Sequence, residues 1–332
     1  MINYFKPSLT DKEEMFLFDA FKSNEIGVGK YIGKFEEAWA EYNKMKYGVA
    51  CNSGTNALYL ALKALGIGKG DEVIVPEFTM TATAWAVTYT GAKPVFIDCN
   101  DTLNIDPELI EDAISKKTKA IIPVHIYGRK CDMDSINAIA KRHNLYVVED
   151  MAEAHGIQPT GDIACYSFYG NKILTTGEGG MCLTDNKMWA NEMRLYANMY
   201  FDKERSMVHP KIGHNFRMTN MQAAIGYAQV LRIDEILEKR RQIEKWFNKY
   251  IPSKYKRGNR EVLWMYDFIC EDNEKIKTDN MRYGFKPMSR QPDYNLPYEH
   301  LKAHEYSKKI LYFIVWTDMT EDDVINICKE LK

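Results

Sequence analysis

No apolar run in this 332-residue chain approaches the roughly 20 residues that a membrane-spanning helix requires. The segment Met1 to Leu9 carries Lys6 and Pro7 and lacks the apolar core of a signal peptide. Lysine plus arginine number 44 and aspartate plus glutamate number 46, so the net charge of -2 leaves no electrostatic footprint for nucleic acid or for an anionic membrane. We therefore expect a cytoplasmic protein that binds small molecules and contacts neither nucleic acid nor a membrane.

The cysteines form no CxxC pair, and their number is odd. They are Cys51, Cys99, Cys131, Cys165, Cys182, Cys270 and Cys328. This scatter predicts reduced thiols that pack as small hydrophobic side chains, and it argues against a zinc cluster or any other metal site. No GxGxxG follows the first predicted strand, which argues against a dinucleotide-binding dehydrogenase.

Short apolar runs alternate with helical segments through the first part of the chain. The predicted strands are Tyr47–Cys51, Glu72–Pro76, Pro94–Asp98, Ala120–Val124, Tyr146–Glu149, Ile163–Phe168 and Gly180–Thr184. The predicted helices among them include Ala57–Leu65, Pro107–Ser115 and Met133–Arg142. This alternation predicts an α/β protein with a mainly parallel sheet and helices on both of its faces.

The pattern changes after residue 220. Met221 to Tyr250 has the periodicity of one long, charged helix, Pro252 to Pro297 is polar and irregular, and Asp322 to Leu331 resembles a closing amphipathic helix. We predict a large domain over residues 1–220, followed by the linking helix and a smaller C-terminal domain over residues 221–332.

Ligands of open α/β sheets bind at the carboxyl ends of the strands, and the first such end carries Ser53, Gly54 and Thr55. The glycine allows close backbone approach, and the amides of the following helix point outward with the positive end of its dipole. The motif therefore predicts a phosphate site, although a simple helix cap accounts for Ser53 or Thr55 equally well.

Two further strand ends carry ionisable groups. Asp150 ends a buried strand, with Glu153 on the following turn, and a buried carboxylate needs a cation or several donors. Lys172 follows another strand and precedes a glycine-rich turn, where desolvation converts a lysine into a nucleophilic amine. A phosphate turn, an acid and a lysine at one sheet edge are the components of a pyridoxal 5'-phosphate site.

The chain resembles the DegT/DnrJ/EryC1/StrS family of sugar aminotransferases. The resemblance rests on five motifs: Ser53–Leu58, Gly70–Pro76, Glu149–Gly156, Ser167–Lys172 and Gly213–Ala224. It implies the aspartate-aminotransferase-like fold (fold type I), with a mostly parallel seven-stranded sheet in the large domain and a smaller C-terminal α+β domain. It also implies that the enzyme is a homodimer with shared active sites, so that a monomer is inactive.

The resemblance assigns roles to residues of this sequence. Lys172 is expected to bind the cofactor covalently and to act as the catalytic acid and base. Asp150 is expected to pair with the pyridine nitrogen, while Gly54, Thr55 and Ser167 are expected to bind the phosphate.

Other positions match the pattern of the family only in part. Asn215 matches a residue that the family sends across the dimer interface to the phosphate, and Glu153 matches a residue, often glutamine, beside the ring hydroxyl. Met80 occupies the position where many relatives stack an aromatic ring on the cofactor. The segments 156–161 and 252–297 look shorter than in relatives, which bears on the substrate contacts and not on the cofactor chemistry.

The sequence gives only unspecific signals for the residues that contact the substrate. His155 could approach the substrate or pack behind the site, and Arg217 could bind a carboxylate or form a structural ion pair. Tyr31 and Trp264, among other aromatic residues, could stack on a base, although such residues more often belong to the core. Arg257, Arg260 and Arg290 could meet a diphosphate.

The segment from Tyr169 to Gly180 most resembles the perosamine-synthase branch of the family. We therefore predict transfer of an amino group from L-glutamate to a nucleotide-linked 4-keto-6-deoxyhexose, which yields a 4-amino-4,6-dideoxyhexose of the perosamine or viosamine type. Lys172 is the feature that favours transfer over dehydration, because one subgroup of dehydratases has histidine at that position. A sugar 3-aminotransferase, a dehydratase and a non-catalytic sugar-nucleotide-binding relative remain alternatives.

Overall fold

A seven-stranded sheet forms the centre of the large N-terminal part of the molecule. The computed structural model describes residues 6–201, 207–271, 273, 278–297 and 301–331. The strands are β1 (Tyr47–Cys51), β2 (Glu72–Pro76), β3 (Lys93–Ile97), β4 (Thr118–Ile121), β5 (Tyr146–Asp150), β6 (Ile163–Ser167) and β7 (Gly180–Thr184), in the order β1-β7-β6-β5-β4-β2-β3. Every neighbouring pair is parallel except those that involve β7, which confirms the predicted mostly parallel sheet.

Helices cover both faces of this sheet, so the strands β5, β6 and β7 are buried along almost their whole length. The helices are α1 (Asp11–Lys22), α2 (Lys30–Tyr42), α3 (Gly54–Ala64), α4 (Thr81–Thr90), α5 (Met133–His143) and α6 (Lys187–Ala197). The predicted helix over Pro107–Ser115 was wrong, because the segment forms only two short 3₁₀ turns. Ile110 is its one fully buried apolar residue, too little to hold a helix by packing.

The C-terminal part adds a small antiparallel sheet. Its elements are α7 (Asn220–Val230), α8 (Ile233–Tyr250), β8 (Tyr266–Ile269), β9 (Met281–Tyr283), α9 (Leu301–Lys309), β10 (Ile310–Phe313) and α10 (Glu321–Lys329), with the strands in the order β8-β10-β9. Two strands therefore lie in the segment that the sequence analysis took to be irregular. The division into domains at residue 220 stays a prediction.

The single long helix predicted over residues 221–250 is two helices. Arg232, in the interruption between α7 and α8, turns inward and donates to the carboxylate of Glu13 at 2.8 Å. Both side chains are buried, so the two-residue interruption contains an internal ion pair that attaches the start of α8 to α1.

A close backbone contact joins the large sheet to the C-terminal part. Gly128 has a φ of 77°, and the amides of Glu261 and Val262 both donate to its carbonyl oxygen. A Cβ atom on Gly128 would lie 1.9 Å from the carbonyl oxygen of Val262. Glycine is thus required here by conformation and by space, and the contact sets the position of the segment that follows Val262.

In the part of the chain that the structure describes, no helix is both long and apolar enough to cross a membrane. All seven cysteines are buried and unpaired with one another, as the sequence analysis expected.

Candidate active site

A cavity of about 390 Å³ opens where the carboxyl ends of β1, β2, β5 and β6 meet at one edge of the sheet. Its lining contains Ser53, Gly54, Thr55, Met80, Asp150, Glu153, Ser167 and Lys172, eight of the residues that the sequence analysis selected. Trp264, Phe285 and Tyr312 close the cavity from the C-terminal part. The parallel strands therefore bring together a phosphate turn, two acids and a lysine that lie far apart in the sequence.

The amino end of α3 forms one end of the cavity. Ser53 is the N-cap residue, and its hydroxyl accepts a hydrogen bond from the amide of Asn56 at 3.2 Å. Gly54 faces Ser167 so closely that an added Cβ would lie 2.6 Å from the Cβ atom of Ser167. Backbone amides, a helix dipole and hydroxyl groups converge here, which suits a phosphate group, and the capping role of Ser53 does not compete with it.

Asp150 lies at the end of β5 with its carboxylate held from two sides. The hydroxyl of Thr83 donates to Oδ2 at 2.8 Å, and the amide of Ala152 donates to Oδ1 at 3.1 Å. Burial raises the pKa of the Asp150 carboxyl, while these hydrogen bonds and the charge of Lys172 oppose the rise. A buried carboxylate oriented in this way is suited to pair with a cation that enters the cavity, such as a protonated ring nitrogen.

Glu153 and Lys172 influence each other electrostatically across the cavity. Burial raises the pKa of Glu153 to about 8, and the positive charge of Lys172 works against that rise. Burial also lowers the pKa of Lys172, against the charges of Glu153 and Asp150. The amide of Tyr127 donates to Glu153 Oε2 at 2.7 Å and so fixes one carboxylate oxygen. A lysine whose burial favours the neutral amine is suited to nucleophilic chemistry.

The turn that carries Lys172 is fixed by short-range hydrogen bonds. The amide of Lys172 donates to the carbonyl of Tyr169 at 2.9 Å, and the amide of Leu174 donates to Nδ1 of His155 at 3.1 Å. The ring of His155 is fully buried and packs against Trp39 and Phe168. The structure places His155 behind the turn and does not bring it to the cavity.

Three other predicted residues lie outside the cavity of their own chain. Tyr31 is buried in α2, and its hydroxyl donates to Asp19 at 2.6 Å. Arg217 is exposed and donates to the side chain of Asn198 at 2.9 Å. Asn215 is also exposed, and its backbone forms a bridge with Asn198. An exposed Asn215 agrees with a role in the site of a second subunit, which stays a prediction.

The proposed diphosphate contacts of two arginines are not what the structure shows. Arg257 and Arg260 both lie within 3.2 Å of the buried carboxylate of Asp267, which also accepts from Arg129 at 2.9 Å. Their guanidinium groups therefore belong to an internal cluster around Asp267, because a buried carboxylate is stable only with cationic or hydrogen-bonding partners.

The sequence contains no local signal for Phe285 or Tyr312, and it indicates only a base-stacking or core role for Trp264. These residues come from separate C-terminal segments and meet only through the pairing of β8, β9 and β10. Thr83 was not predicted either, although its place one turn into the helix after β2 is the type of position from which a hydroxyl can reach a neighbouring strand end.

Comparison with known proteins identifies the family of this site. A model of the DegT/DnrJ/EryC1/StrS aminotransferase family matches residues 7–332. The chain belongs to this family. As a DegT/DnrJ/EryC1/StrS aminotransferase it is a pyridoxal-phosphate-dependent enzyme that acts on sugars.

Two related enzymes from this aminotransferase family share a name. The GDP-perosamine synthase of Caulobacter vibrioides is 42% identical over 329 residues, which cover 90% of this chain and 87% of the relative. The GDP-perosamine synthase of Escherichia coli O157:H7 is 37% identical over 354 residues, covering 99% of this chain and 97% of the relative.

Two solved structures share the fold of this chain over nearly its whole length. Streptomyces venezuelae DesV, solved in complex with a ketimine intermediate, superposes with a TM-score of 0.91 at 27% identity, covering 97% of this chain and 93% of that one. An aminotransferase from Psychrobacter cryohalolentis has a TM-score of 0.86 at 30% identity, with 98% of both chains covered. These matches confirm fold type I.

Proposed function

We propose that this aminotransferase moves the amino group of L-glutamate to C4 of a nucleotide-linked 4-keto-6-deoxyhexose. The product is then a 4-amino-4,6-dideoxyhexose. The shared name of the two relatives favours the perosamine type over the viosamine type, and it favours GDP as the carrier. The observation that carries the proposal is the presence of Lys172 and Asp150 in the cavity that also receives the amino end of α3.

The residues of the cavity fit pyridoxal phosphate. The close approach of Gly54 to Ser167 leaves a cradle of amides and hydroxyls for the phosphate, and Asp150 and Glu153 line the same cavity. When bound, the cofactor stores the amino group and withdraws electrons from the carbon that exchanges its proton.

The chain itself supplies binding, orientation and proton transfer. Asp150 would stabilise a positive charge at the ring nitrogen of the bound cofactor, because its carboxylate is buried and already oriented by Thr83 and Ala152. With the cofactor bound, Lys172 Nζ would take up and return the proton that is exchanged between the nitrogen-bearing carbon of the substrate and the cofactor in each half-reaction. Trp264, Phe285 and Tyr312 restrict the access of water to that amine from the C-terminal side.

The experiment that tests the proposal is glutamate-dependent turnover of a panel of nucleotide-linked 4-keto-6-deoxy sugars, followed by mass spectrometry. We expect stoichiometric 2-oxoglutarate and an amino sugar, and NMR of the product places the nitrogen at C4. Lys172→Ala should abolish both products, whereas Lys93→Ala, on an exposed side chain of β3, should retain activity. Turnover by Lys172→Ala, or the absence of 2-oxoglutarate with the wild-type enzyme, would refute the proposal.

We also propose that the active form is a homodimer in the cytoplasm with shared sites. Large apolar side chains stand exposed along the N-terminal segment at Leu9, Met15, Phe18, Phe21, Ile26 and Val28. Such a concentration of apolar side chains supports burial against a second subunit. The exposed Asn215, outside its own cavity, is then available to the phosphate of the partner's site.

A further inference from the structure

The side-chain amine of Lys172 forms no ion pair within 4.0 Å in the described part of the chain, although two carboxyl groups line the same cavity. Its Nζ atom instead lies 4.1 Å from the centroid of the Trp264 ring. This distance is well within the range in which an ammonium group is attracted to the face of an indole. The amine therefore rests on an aromatic surface and not on Asp150 or Glu153.

The ring of Trp264 is itself held in place on several sides. Its Nε1–H donates to the carbonyl of Asn171 at 2.9 Å, and its ring lies nearly parallel to that of Tyr127. The buried guanidinium of Arg240 donates to the backbone carbonyls of Leu263 and Trp264, both at 3.0 Å. The indole is thus a fixed surface whose position does not depend on Lys172.

We propose that Trp264 is a positioning residue for Lys172, holding the ammonium group of that residue on its indole face whenever the amine is not bound to the cofactor. The inference rests on the proposed role of Lys172. In a two-step amino transfer Lys172 must leave the cofactor and return, and a free lysine has four rotatable bonds to explore. The indole face confines it without forming an ion pair.

The absence of an ion pair has a chemical consequence. A salt bridge from Lys172 to Asp150 would occupy the carboxylate that the ring nitrogen needs, and one to Glu153 would occupy a second group beside the ring. The aromatic face stabilises the protonated amine and leaves both carboxylates available. Arg240 brings a second buried positive charge behind Trp264, where it donates to the backbone carbonyl of that residue.

The test measures the reactivity of Lys172 in the full-length holoenzyme, with and without L-glutamate. Lysines are acetylated with isotopically labelled acetic anhydride between pH 7 and pH 10, and peptides are quantified by mass spectrometry with exposed Lys93 as the internal reference. Glutamate should free Lys172 from the cofactor and expose it to the reagent. The midpoint of its pH dependence then reports proton affinity, and the plateau reports accessibility.

Two variants separate the indole face from the indole hydrogen bond. Trp264→Phe and Trp264→Leu both lose the bond to Asn171, but only the first retains an aromatic face. Since an aromatic face stabilises a cation by about 1 kcal/mol, we expect labelling of Lys172 at pH 7.5 to rise about fivefold in Trp264→Leu and about twofold in Trp264→Phe, through a lower midpoint. Circular dichroism and cofactor absorbance establish that each variant is folded and loaded.

Equal midpoints in wild type, Trp264→Phe and Trp264→Leu would overturn the inference, and so would an equal shift in both variants, which would assign the effect to the lost hydrogen bond. If Trp264→Leu does not fold, Trp264→Met, which also lacks both the aromatic face and the indole N–H, replaces it: a lower midpoint than in Trp264→Phe supports the inference and an equal midpoint overturns it. Rapid labelling of Lys172 before glutamate is added would instead contradict the proposed attachment of Lys172 to the cofactor, which distinguishes the two failures.

Discussion

The neighbours of Asp150 orient its carboxylate for a positively charged partner in the cavity. Asparagine at this position has nearly the same shape, can still accept from the amide of Ala152 and can donate to the hydroxyl of Thr83, but it cannot stabilise a positive ring nitrogen. We expect Asp150→Asn to lower the rate of 2-oxoglutarate formation by at least about 100-fold while the protein stays folded.

Variants of Thr83 supply the matched control for this experiment. Thr83→Ser keeps the hydroxyl that donates to Asp150 and should retain most of the activity. Thr83→Val removes that donor, which should raise the pKa of Asp150 further and move the acidic limb of the pH–rate profile to higher pH. Activity of Asp150→Asn within tenfold of wild type would contradict the assigned role.

The raised pKa of Glu153 leads us to expect that the stability of the cofactor-free protein depends on pH. Its pKa is raised by burial to about 8, so between about pH 4.5 and pH 8 the folded state keeps a proton that the unfolded state has lost. Stability must then fall as the pH rises through this window. Glu153→Gln, which can still accept the hydrogen bond from Tyr127, removes this loss.

Thermal and urea unfolding of the cofactor-free proteins at pH 5 and pH 8 measure the effect. We compare the free energy of unfolding of Glu153→Gln with that of wild type at each pH. We expect this difference to be larger at pH 8 than at pH 5, in favour of the variant, by more than about 1.4 kcal/mol, the equivalent of one pKa unit. A constant difference between the two proteins at both pH values would show that Glu153 is not protonated in the folded state.

At the scale of elements, the break between α7 and α8 depends on a buried ion pair. Arg232→Ala would leave the carboxylate of Glu13 buried without its cation, and we expect a loss of about 3–5 kcal/mol in the free energy of unfolding. Arg241→Ala, which breaks an exposed pair with Glu238 further along α8, should cost less than about 1 kcal/mol. Similar losses in the two variants, measured by urea denaturation, would exclude a special role for the break.

The elements that were predictable from sequence are those with a local signal. The apolar strands and the Lys172 turn are continuous in the chain, and each was placed within a few residues. The break at Arg232 was not predictable, because the periodicity of the two helices runs through it and its cause, Glu13, lies more than 200 residues away. For the same reason Trp264 could not be assigned to Lys172 before the close contact between Gly128 and Val262 was known.

At the scale of the whole molecule, a shared active site predicts complementation between inactive variants. Lys172→Ala and Asn215→Ala should each be severely impaired as homodimers. In a mixed dimer, one site combines the intact Lys172 of one subunit with the intact Asn215 of the other. After equimolar mixing and reassociation, about one quarter of all sites should be fully wild type in composition.

Activity of the mixture is compared with that of each variant alone, and the extent of subunit exchange is measured separately by native mass spectrometry of the mixed dimers. Recovery towards one quarter of the wild-type rate supports a site built from two subunits. If exchange is complete and no activity returns, Asn215 serves the site of its own chain or none.

The contact between Gly128 and Val262 also sets the limits within which this enzyme could be redesigned. Because two backbones touch there with no room for a methyl group, the indole that follows cannot be moved outward by mutation without separating the two parts of the chain. Phe285 and Tyr312, which are only half-buried, are not restrained by that contact. Directed evolution toward bulkier sugars should therefore accumulate changes at these two positions and leave the tryptophan unaltered.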